Sequence, residues 1–291
     1  MLKKTVFLTL FLFLLNFLDA TVVLSDFDEI NATHKLINYT WKSQLVPRIT
    51  VKKIPEKIKD AGSQKRMRFF IRTLLPLILM ENEKIEKEHD FIVPIAAKEN
   101  WDRNDIRIIS ETAYKYRIIK KDSDLTTISE IEKDEIRYFL DHRIRPIPVP
   151  IALGQAALES GWGTSRFVFE GNNLFGHVAK DHKKGLKPKN WSGKQRNIKV
   201  FDSIQDSISA YMLNLNRNKA YRKFRSLRRE FPGNPIKITE GFGSYAIIKK
   251  EYIKRLQQVI TKYGLYHLND SKLANDEKAI IHKKIKQIYI N

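Results

Sequence analysis

The chain has 291 residues and no cysteine, which excludes disulfides, thiolate metal sites, thiol nucleophiles and a lipoprotein anchor. Lysine and arginine number 53 against 33 acidic residues, so the formal net charge is +20. An excess of this size favours an anionic partner, which could be a nucleic acid, a membrane surface or an acidic polymer. No helix-turn-helix, zinc-finger or RNA-binding signature accompanies the charge, and we therefore expect no nucleic-acid partner.

The N-terminus has the composition of a secretion signal. Residues 1–20 place two lysines before an apolar run from Thr5 to Leu18, which is shorter than the roughly 20 residues of a membrane-spanning helix. Ala20 suits the last position before a cleavage site, whereas Leu18 is large for its position. We expect this segment to be removed as a signal peptide, or retained as an anchor that contacts the membrane. In both cases the remainder would be exported to the periplasm or cell envelope.

The next part of the chain has helical apolar periodicity. Residues 21 to about 60 are weakly patterned, but from Gln64 to Lys87 apolar residues recur on one helical face. Pro76 is expected to kink or split that helix. A further helix is predicted to open at Thr126 or Thr127. The apolar stripes of both helices are interpreted as core.

A short helix ending in a carboxylate is the most informative predicted element. Pro148 excludes helix before it, so the helix begins at about Val149, and Gly161 ends it. Glu159 therefore lies in the last turn, where the helix dipole disfavours an anion. Burial beside Trp162 would disfavour the charged form further, so we expect a raised pKa for Glu159. A carboxyl that stays protonated near neutral pH is what a glycosidase needs as its general acid.

Position alone would also fit a solvated surface glutamate, and the flanking motifs decide between the two interpretations. GQAALESGWGTSRF, followed by EGNNLFG, resembles the glucosaminidase domain that cleaves peptidoglycan, and more narrowly the bacterial Bax-type proteins of that superfamily. The resemblance implies a mainly α (α+β), lysozyme-like fold with a small β-hairpin lobe, and Glu159 as the catalytic residue. We assign substrate-binding roles to four residues of these motifs, Gln155, Trp162, Asn173 and Phe175.

The segment from residue 171 to residue 200 is strongly basic. Its single acid is Asp181, which stands among eight basic residues, Lys180, Lys183, Lys184, Lys187, Lys189, Lys194, Arg196 and Lys199. Glycine and proline break any helix, so a loop or small β-hairpin lobe is predicted. It would be either a solvated loop or a cleft wall facing the carboxylates of peptide stems. Trp191 could stack on a sugar there, and Phe201 stands where many glucosaminidases have tyrosine.

The C-terminal part returns to helix at Ser203, where the sequence has the form of a capping box. A connecting loop is predicted from residue 231 to residue 244. The following GFGSYAIIKKEYIKRLQQVITKYG resembles the closing segment of glucosaminidase domains, which implies that Tyr245 lies near the catalytic glutamate. Tyr211 and Tyr252 fall on the apolar faces of their predicted helices and are interpreted as core. The lysine-rich tail could be an amphipathic helix or remain loose.

These observations predict an exported endo-β-N-acetylglucosaminidase acting on the glycan strands of peptidoglycan. Residues 1–20 would be the signal or anchor, 21–125 a helical extension, 126–266 the glucosaminidase domain and 267–291 a basic tail. A second acid could be Asp181 or Glu170, although pairing with Arg166 or capping a turn is expected for Glu170. Without a second acid, the N-acetyl group of the substrate would assist.

Two other functions fit the sequence less well. A lytic transglycosylase would normally carry a Gly-Leu-Met-Gln-type segment where this chain has Asn-Leu-Phe-Gly. A non-catalytic wall-binding or scaffold protein would not need Glu159, Trp162 and Tyr245 together. No metal or other cofactor is expected, because the seven histidines show no metal-ligand spacing. The sequence does not indicate an oligomeric state.

Overall fold

The structure is a computed structural model that describes residues 22–24, 26–181, 184–189, 196–243 and 249–274. The fold is mainly α, as predicted, with very short strands. The helices are α1 Phe27–Leu36, α2 Ser63–Ala96, α3 Arg103–Lys115, α4 Glu130–Arg143, α5 Val149–Ser160, α6 Arg166–Gly171, α7 Ile204–Arg217, α8 Arg222–Glu230, α9 Pro235–Thr239 and α10 Lys249–Lys262. The strands are β1 Val22–Leu24, β2 Leu45–Val46, β3 Ile49–Val51 and β4 Lys272–Leu273. The predicted signal segment and most of the tail lie outside the described residues.

Helix α2 is the central element, and it is longer than the sequence predicted. It has 34 residues and continues through both Pro76 and Pro94, so of the two predicted outcomes at Pro76, a kink or a split, the split is wrong. A proline inside a helix costs about 3 kcal/mol, whereas burying one leucine or isoleucine stabilises by about 1.5 to 3 kcal/mol. The side chains flanking Pro76 are completely buried, namely Leu74, Leu75, Leu77 and Ile78. Within the described ranges, no helix is long and apolar enough to cross a membrane.

Three other boundaries differ from the predictions. Helix α3 was not predicted at all. Helix α4 begins at Glu130 rather than at Thr126 or Thr127, because Ser129 and Glu132 form the capping box that opens it. The predicted loop from residue 231 contains α9 and a 3-10 helix, Glu240–Phe242. Gly241 is needed there, because a Cβ atom would lie 2.3 Å from the Cα of Phe224 on α8.

Helix α5 has the predicted start and is held at both ends. The side chain of Asn82 on α2 donates to the carbonyl of Ile147 and accepts from its amide, both at 2.8 Å. Gly161 ends the helix in a left-handed conformation with a φ of 59°. Between these points Gly154 permits close contact with α10, because a Cβ atom would lie 2.8 Å from Leu256 Cδ1. The position of the last turn of α5 is therefore set by α2 and α10.

The strands connect parts of the chain that are far apart. Strand β1 pairs in parallel with β3, and β2 pairs in parallel with β4. The second pair joins the region before α2 to the residues after α10. One hydrophobic cluster includes residues from α2, α5, α7 and α10, so the extension packs directly on the region that carries the motifs. In the basic segment, two isolated bridges join Ile198 to Val178 and to Leu186, which supports a small β-hairpin lobe.

One buried histidine predicts a pH-dependent stability. His34 on α1 is fully buried, and none of the described residues forms a hydrogen bond with either of its ring nitrogens. Burial, with a smaller contribution from the charge of Arg72, lowers its pKa to about 3. The unfolded chain takes up this proton near pH 6.5 and the folded chain only near pH 3, so stability is lost as the pH falls between these values. Between pH 7.5 and pH 5, His34 should account for a loss of about 2 kcal/mol.

Urea unfolding at the two pH values measures this effect. The variant His34→Leu should lose about 2 kcal/mol less than the wild type over the same interval. His267→Leu, at an exposed histidine, is the matched control and should behave as the wild type. If the free energy of unfolding depends on pH equally in His34→Leu and the wild type, His34 is not the group responsible for the loss of stability.

Candidate active site

Glu159 projects from the last turn of α5 and reaches solvent on one side. Although the side chain is exposed, protein atoms packed around its carboxyl desolvate it, and this burial raises its pKa. A hydrogen bond with Tyr252 acts in the opposite direction and is the smaller effect. The predicted direction of the pKa shift is therefore confirmed. A carboxyl that reaches solvent but is partly desolvated can both meet a substrate and hold a proton.

A chain of hydrogen bonds lies beneath Glu159. The Tyr211 hydroxyl donates to Gln155 Oε1 at 2.5 Å, and Gln155 Nε2 donates to the Tyr252 hydroxyl at 2.7 Å. Because the Tyr252 oxygen accepts from Gln155, its own proton is available to the carboxylate of Glu159. The amide of Gln155 thus orients Tyr252 as a donor toward Glu159.

The two tyrosines of this hydrogen-bond network, Tyr211 and Tyr252, were not predicted as site residues. Their positions on apolar helix faces indicated core, and Tyr211 is indeed 2% exposed. However, a buried tyrosine hydroxyl requires a partner, and these two hydroxyls find theirs in Gln155. That requirement is the one signal in the sequence that could have indicated them. The interpretation of Tyr211 and Tyr252 as core residues is therefore corrected, because their hydroxyls also belong to the hydrogen-bond network next to Glu159.

Tyr221 is a further residue that the sequence did not indicate. It ends the 3-10 helix Lys219–Tyr221 and is 7% exposed. Burial raises the pKa of Tyr221 to about 12, and the nearby charge of Glu159 contributes to the shift. Its hydroxyl therefore stays neutral at physiological pH. Tyr221 and Tyr252 both interact electrostatically with Glu159.

The EGNNLFG motif contacts the same hydrogen-bond network through Phe175. The ring of Phe175 stacks on Tyr211, with centroids 3.9 Å apart and ring planes 3° apart. Asn173, in contrast, uses its whole amide inside the protein. Its Nδ2 donates to the carbonyls of His177 and Lys199, and its Oδ1 accepts from the amides of Phe175 and His177. These bonds hold the turn in shape, and the predicted substrate-binding role of Asn173 stays a prediction.

The aromatic residues Trp162 and Phe201 are held by neighbouring side chains. The ring of Trp162 contacts Phe70 and Tyr263 edge to face, at centroid distances of 5.7 and 4.7 Å. It therefore links the end of α5 to α2 and to Tyr263, the residue that follows α10. Phe201 is 6% exposed and packs edge to face on His177, at 5.7 Å. The predicted contacts of both residues with substrate stay predictions.

The two candidate second acids differ in their surroundings. Glu170 pairs with Arg166 at 2.8 Å, which confirms the pairing expected from the sequence. Asp181 is exposed in the basic segment. Trp191 and Tyr245 lie outside the described residues. Among the residues that the structure describes, no group of three or more histidines or acids is arranged to hold a metal ion.

Comparison with known proteins identifies the part of the chain that contains the network. Residues 142–265 match the Glucosaminidase family model, described as mannosyl-glycoprotein endo-β-N-acetylglucosaminidase. The chain is also similar to Protein bax of Escherichia coli (strain K12), with 31% identity over 179 residues. This alignment covers 61% of the present chain and 60% of that protein. No solved structure matches.

Proposed function

We propose that residues 142–265, which match the glucosaminidase family model, form a Bax-type domain of that family, and that the chain is an exported glycoside hydrolase. Its substrate would be the glycan strand of peptidoglycan, which it would cleave as an endo-β-N-acetylglucosaminidase. The observation that carries this proposal is the carboxyl of Glu159, which is desolvated yet open to solvent on one side. The net charge of +20 supports an anionic wall as partner.

In the proposed mechanism, Glu159 protonates the leaving glycosidic oxygen. Its raised pKa keeps the proton available before cleavage. As the bond breaks and the carboxylate forms, the Tyr252 hydroxyl donates to it and stabilises the new charge. Gln155 keeps that hydroxyl in the donor orientation by donating to its oxygen.

The group that assists bond cleavage beside the general acid, in place of a second carboxylate, is proposed to come from the substrate. Glu170 is already engaged by Arg166, and the hydrogen-bond network as described contains one carboxylate, that of Glu159. Assistance by the N-acetyl group of the sugar would retain the anomeric configuration. Proton NMR of the first product formed tests this step, since an inverted anomer would require a carboxylate acting on water.

Mass spectrometry of purified peptidoglycan after digestion tests the reaction itself. Reducing N-acetylglucosamine ends are expected. Anhydro-muramic ends would instead identify a lytic transglycosylase, and intact glycan would identify a wall-binding or scaffold protein. Each outcome selects one of the three functions.

Binding to the wall should depend on salt through the basic segment. Lys184, Lys187 and Lys189 are exposed there, while Lys183 lies outside the described residues. Exposed charges are screened over about 10 Å at 0.1 M ionic strength. Replacing the three described lysines by glutamine should weaken binding to sacculi about tenfold at low salt, since exposed pairs contribute about 0.2 to 1 kcal/mol each.

Co-sedimentation with sacculi at increasing sodium chloride measures this prediction. At high salt the triple variant and the wild type should bind alike. The control replaces three exposed lysines elsewhere, Lys120, Lys121 and Lys254, and should change binding less. If both triple variants lose the same affinity, only the total charge matters, and the basic segment has no specific role.

A further inference from the structure

A concave site lies at the opposite end of α5 from Glu159. It is a cavity of about 930 Å³, lined by residues from α2, the connection between α4 and α5, α8 and the C-terminal strand β4. Pro148 and Val149, at the start of α5, form part of its wall. At 1.5 Å per helical residue, Val149 lies about 15 Å from Glu159 along the axis. The cavity is therefore separate from the proposed catalytic carboxyl.

Two buried arginines line this cavity. Arg225 is 2% exposed and Arg228 is 7% exposed. Arg225 donates from Nη1 to the carbonyls of Leu215 and Asn218, but its Nε has no hydrogen-bond partner in the part of the chain that the structure describes. Arg228 donates to backbone carbonyls and to an amide oxygen, that of Asn216. Both guanidinium groups thus contact neutral acceptors.

No carboxylate forms an ion pair with either arginine among the described residues. Burial, and after it the neighbouring arginine charges, lowers the pKa of Arg225 to about 10 and that of Arg228 to about 9. A desolvated positive charge without a counter-charge is unfavourable, and an added anion would relieve it. The unpartnered Nε of Arg225 is a donor that such an anion could satisfy.

The N-terminus of α5 adds positive potential, whereas the other charged side chains of the lining nearly balance, since Arg145 and Arg229 both pair with Asp141. Helix α5 has no side-chain cap at its N-terminus, where the positive end of the helix dipole favours anions. The cavity has six basic residues, Arg48, Arg145, Arg225, Arg228, Arg229 and Lys272, and three acids, Glu83, Glu86 and Asp270. Glu83 is neutralised by Arg48, which donates two hydrogen bonds to it at 2.8 and 2.9 Å. Lys272 is exposed at the rim.

We propose that this cavity is a second binding site, which takes a small molecule bearing a phosphate or carboxylate group against Arg225, Arg228 and the N-terminus of α5. Guanidinium groups match the paired oxygens of both anions. The cavity is large enough to enclose an organic ligand rather than a single ion, because ligand pockets measure about 300 to 1,000 Å³. The proposal does not depend on the reaction at Glu159.

Isothermal titration calorimetry of the full chain tests the site with two probes, inorganic pyrophosphate and citrate. One equivalent of at least one probe should bind. Binding of pyrophosphate alone would identify a phosphate-bearing ligand, and binding of citrate alone a carboxylate-bearing ligand. Lys272→Gln should weaken that binding about threefold, because its exposed charge lies at the rim of the site.

Two further variants, one inside the cavity and one outside it, test whether the probe binds in the cavity. Arg225→Lys keeps the charge but removes the guanidinium, with its Nε donor and the Nη1 bonds to Leu215 and Asn218, and should bind the probe about tenfold more weakly. If that variant does not fold, the affinity of Lys272→Gln for the probe tests the proposal. Glu159→Gln should bind the probes as the wild type does. The proposal is overturned if neither probe binds, or if Lys184→Gln in the basic segment weakens binding as much as Lys272→Gln.

Discussion

Replacing Glu159 by glutamine should lower the rate of glycan cleavage on the order of a hundredfold or more. Glutamine keeps the shape and the hydrogen-bonding capacity of the side chain but has no proton to transfer at neutral pH. The fold and the affinity for sacculi should stay unchanged, since the side chain is exposed at a helix end. The measurement is the release of reducing ends from purified peptidoglycan, with circular dichroism and co-sedimentation as checks on folding and binding.

Glu230 offers a matched control for this substitution. It is also an exposed glutamate in the last turn of a helix, at the end of α8. Glu230→Gln should therefore leave the cleavage rate unchanged. More than about a tenth of the wild-type rate in Glu159→Gln would show that another group supplies the proton.

Removing the hydroxyl of Tyr252 should change both the rate and its pH dependence. Tyr252→Phe takes away the hydrogen bond that lowers the pKa of Glu159, so that pKa should rise further. Because the general acid works in its protonated form, the alkaline limb of the pH–rate profile should move to higher pH. The maximal kcat should fall about tenfold, since a hydrogen bond to a charged group contributes about 1.5 kcal/mol.

The pH profile distinguishes this role from a purely structural one. A tyrosine that only supported the helix would lower kcat without moving the alkaline limb. Tyr263→Phe is the matched control, because Tyr263 follows α10 closely and its ring packs on Trp162. It should leave the profile in place. An alkaline limb that stays at the wild-type pH in Tyr252→Phe would contradict the proposed hydrogen bond to Glu159.

Local sequence signals predicted the part of the site that depends on local structure. Pro148 and Gly161 delimit α5 through backbone restrictions that act within a few residues, so the position of Glu159 in its last turn could be predicted. Ser203 likewise caps α7 as its spacing from Asp206 indicated. The family motifs added the catalytic assignment, which stays a proposal. Tyr245, implied by the same resemblance, lies outside the described residues.

The sequence by itself determined where α5 begins and ends, and therefore that a carboxyl closes it, because caps and breakers are local interactions. Only the tertiary structure decided what surrounds that carboxyl. Gln155 and Tyr252 are 97 residues apart in sequence, and periodicity indicates which helix face is buried but not which polar group each hydroxyl meets. Tertiary structure also decided that α2 continues through Pro76, because packing against several helices outweighed the local cost of the proline.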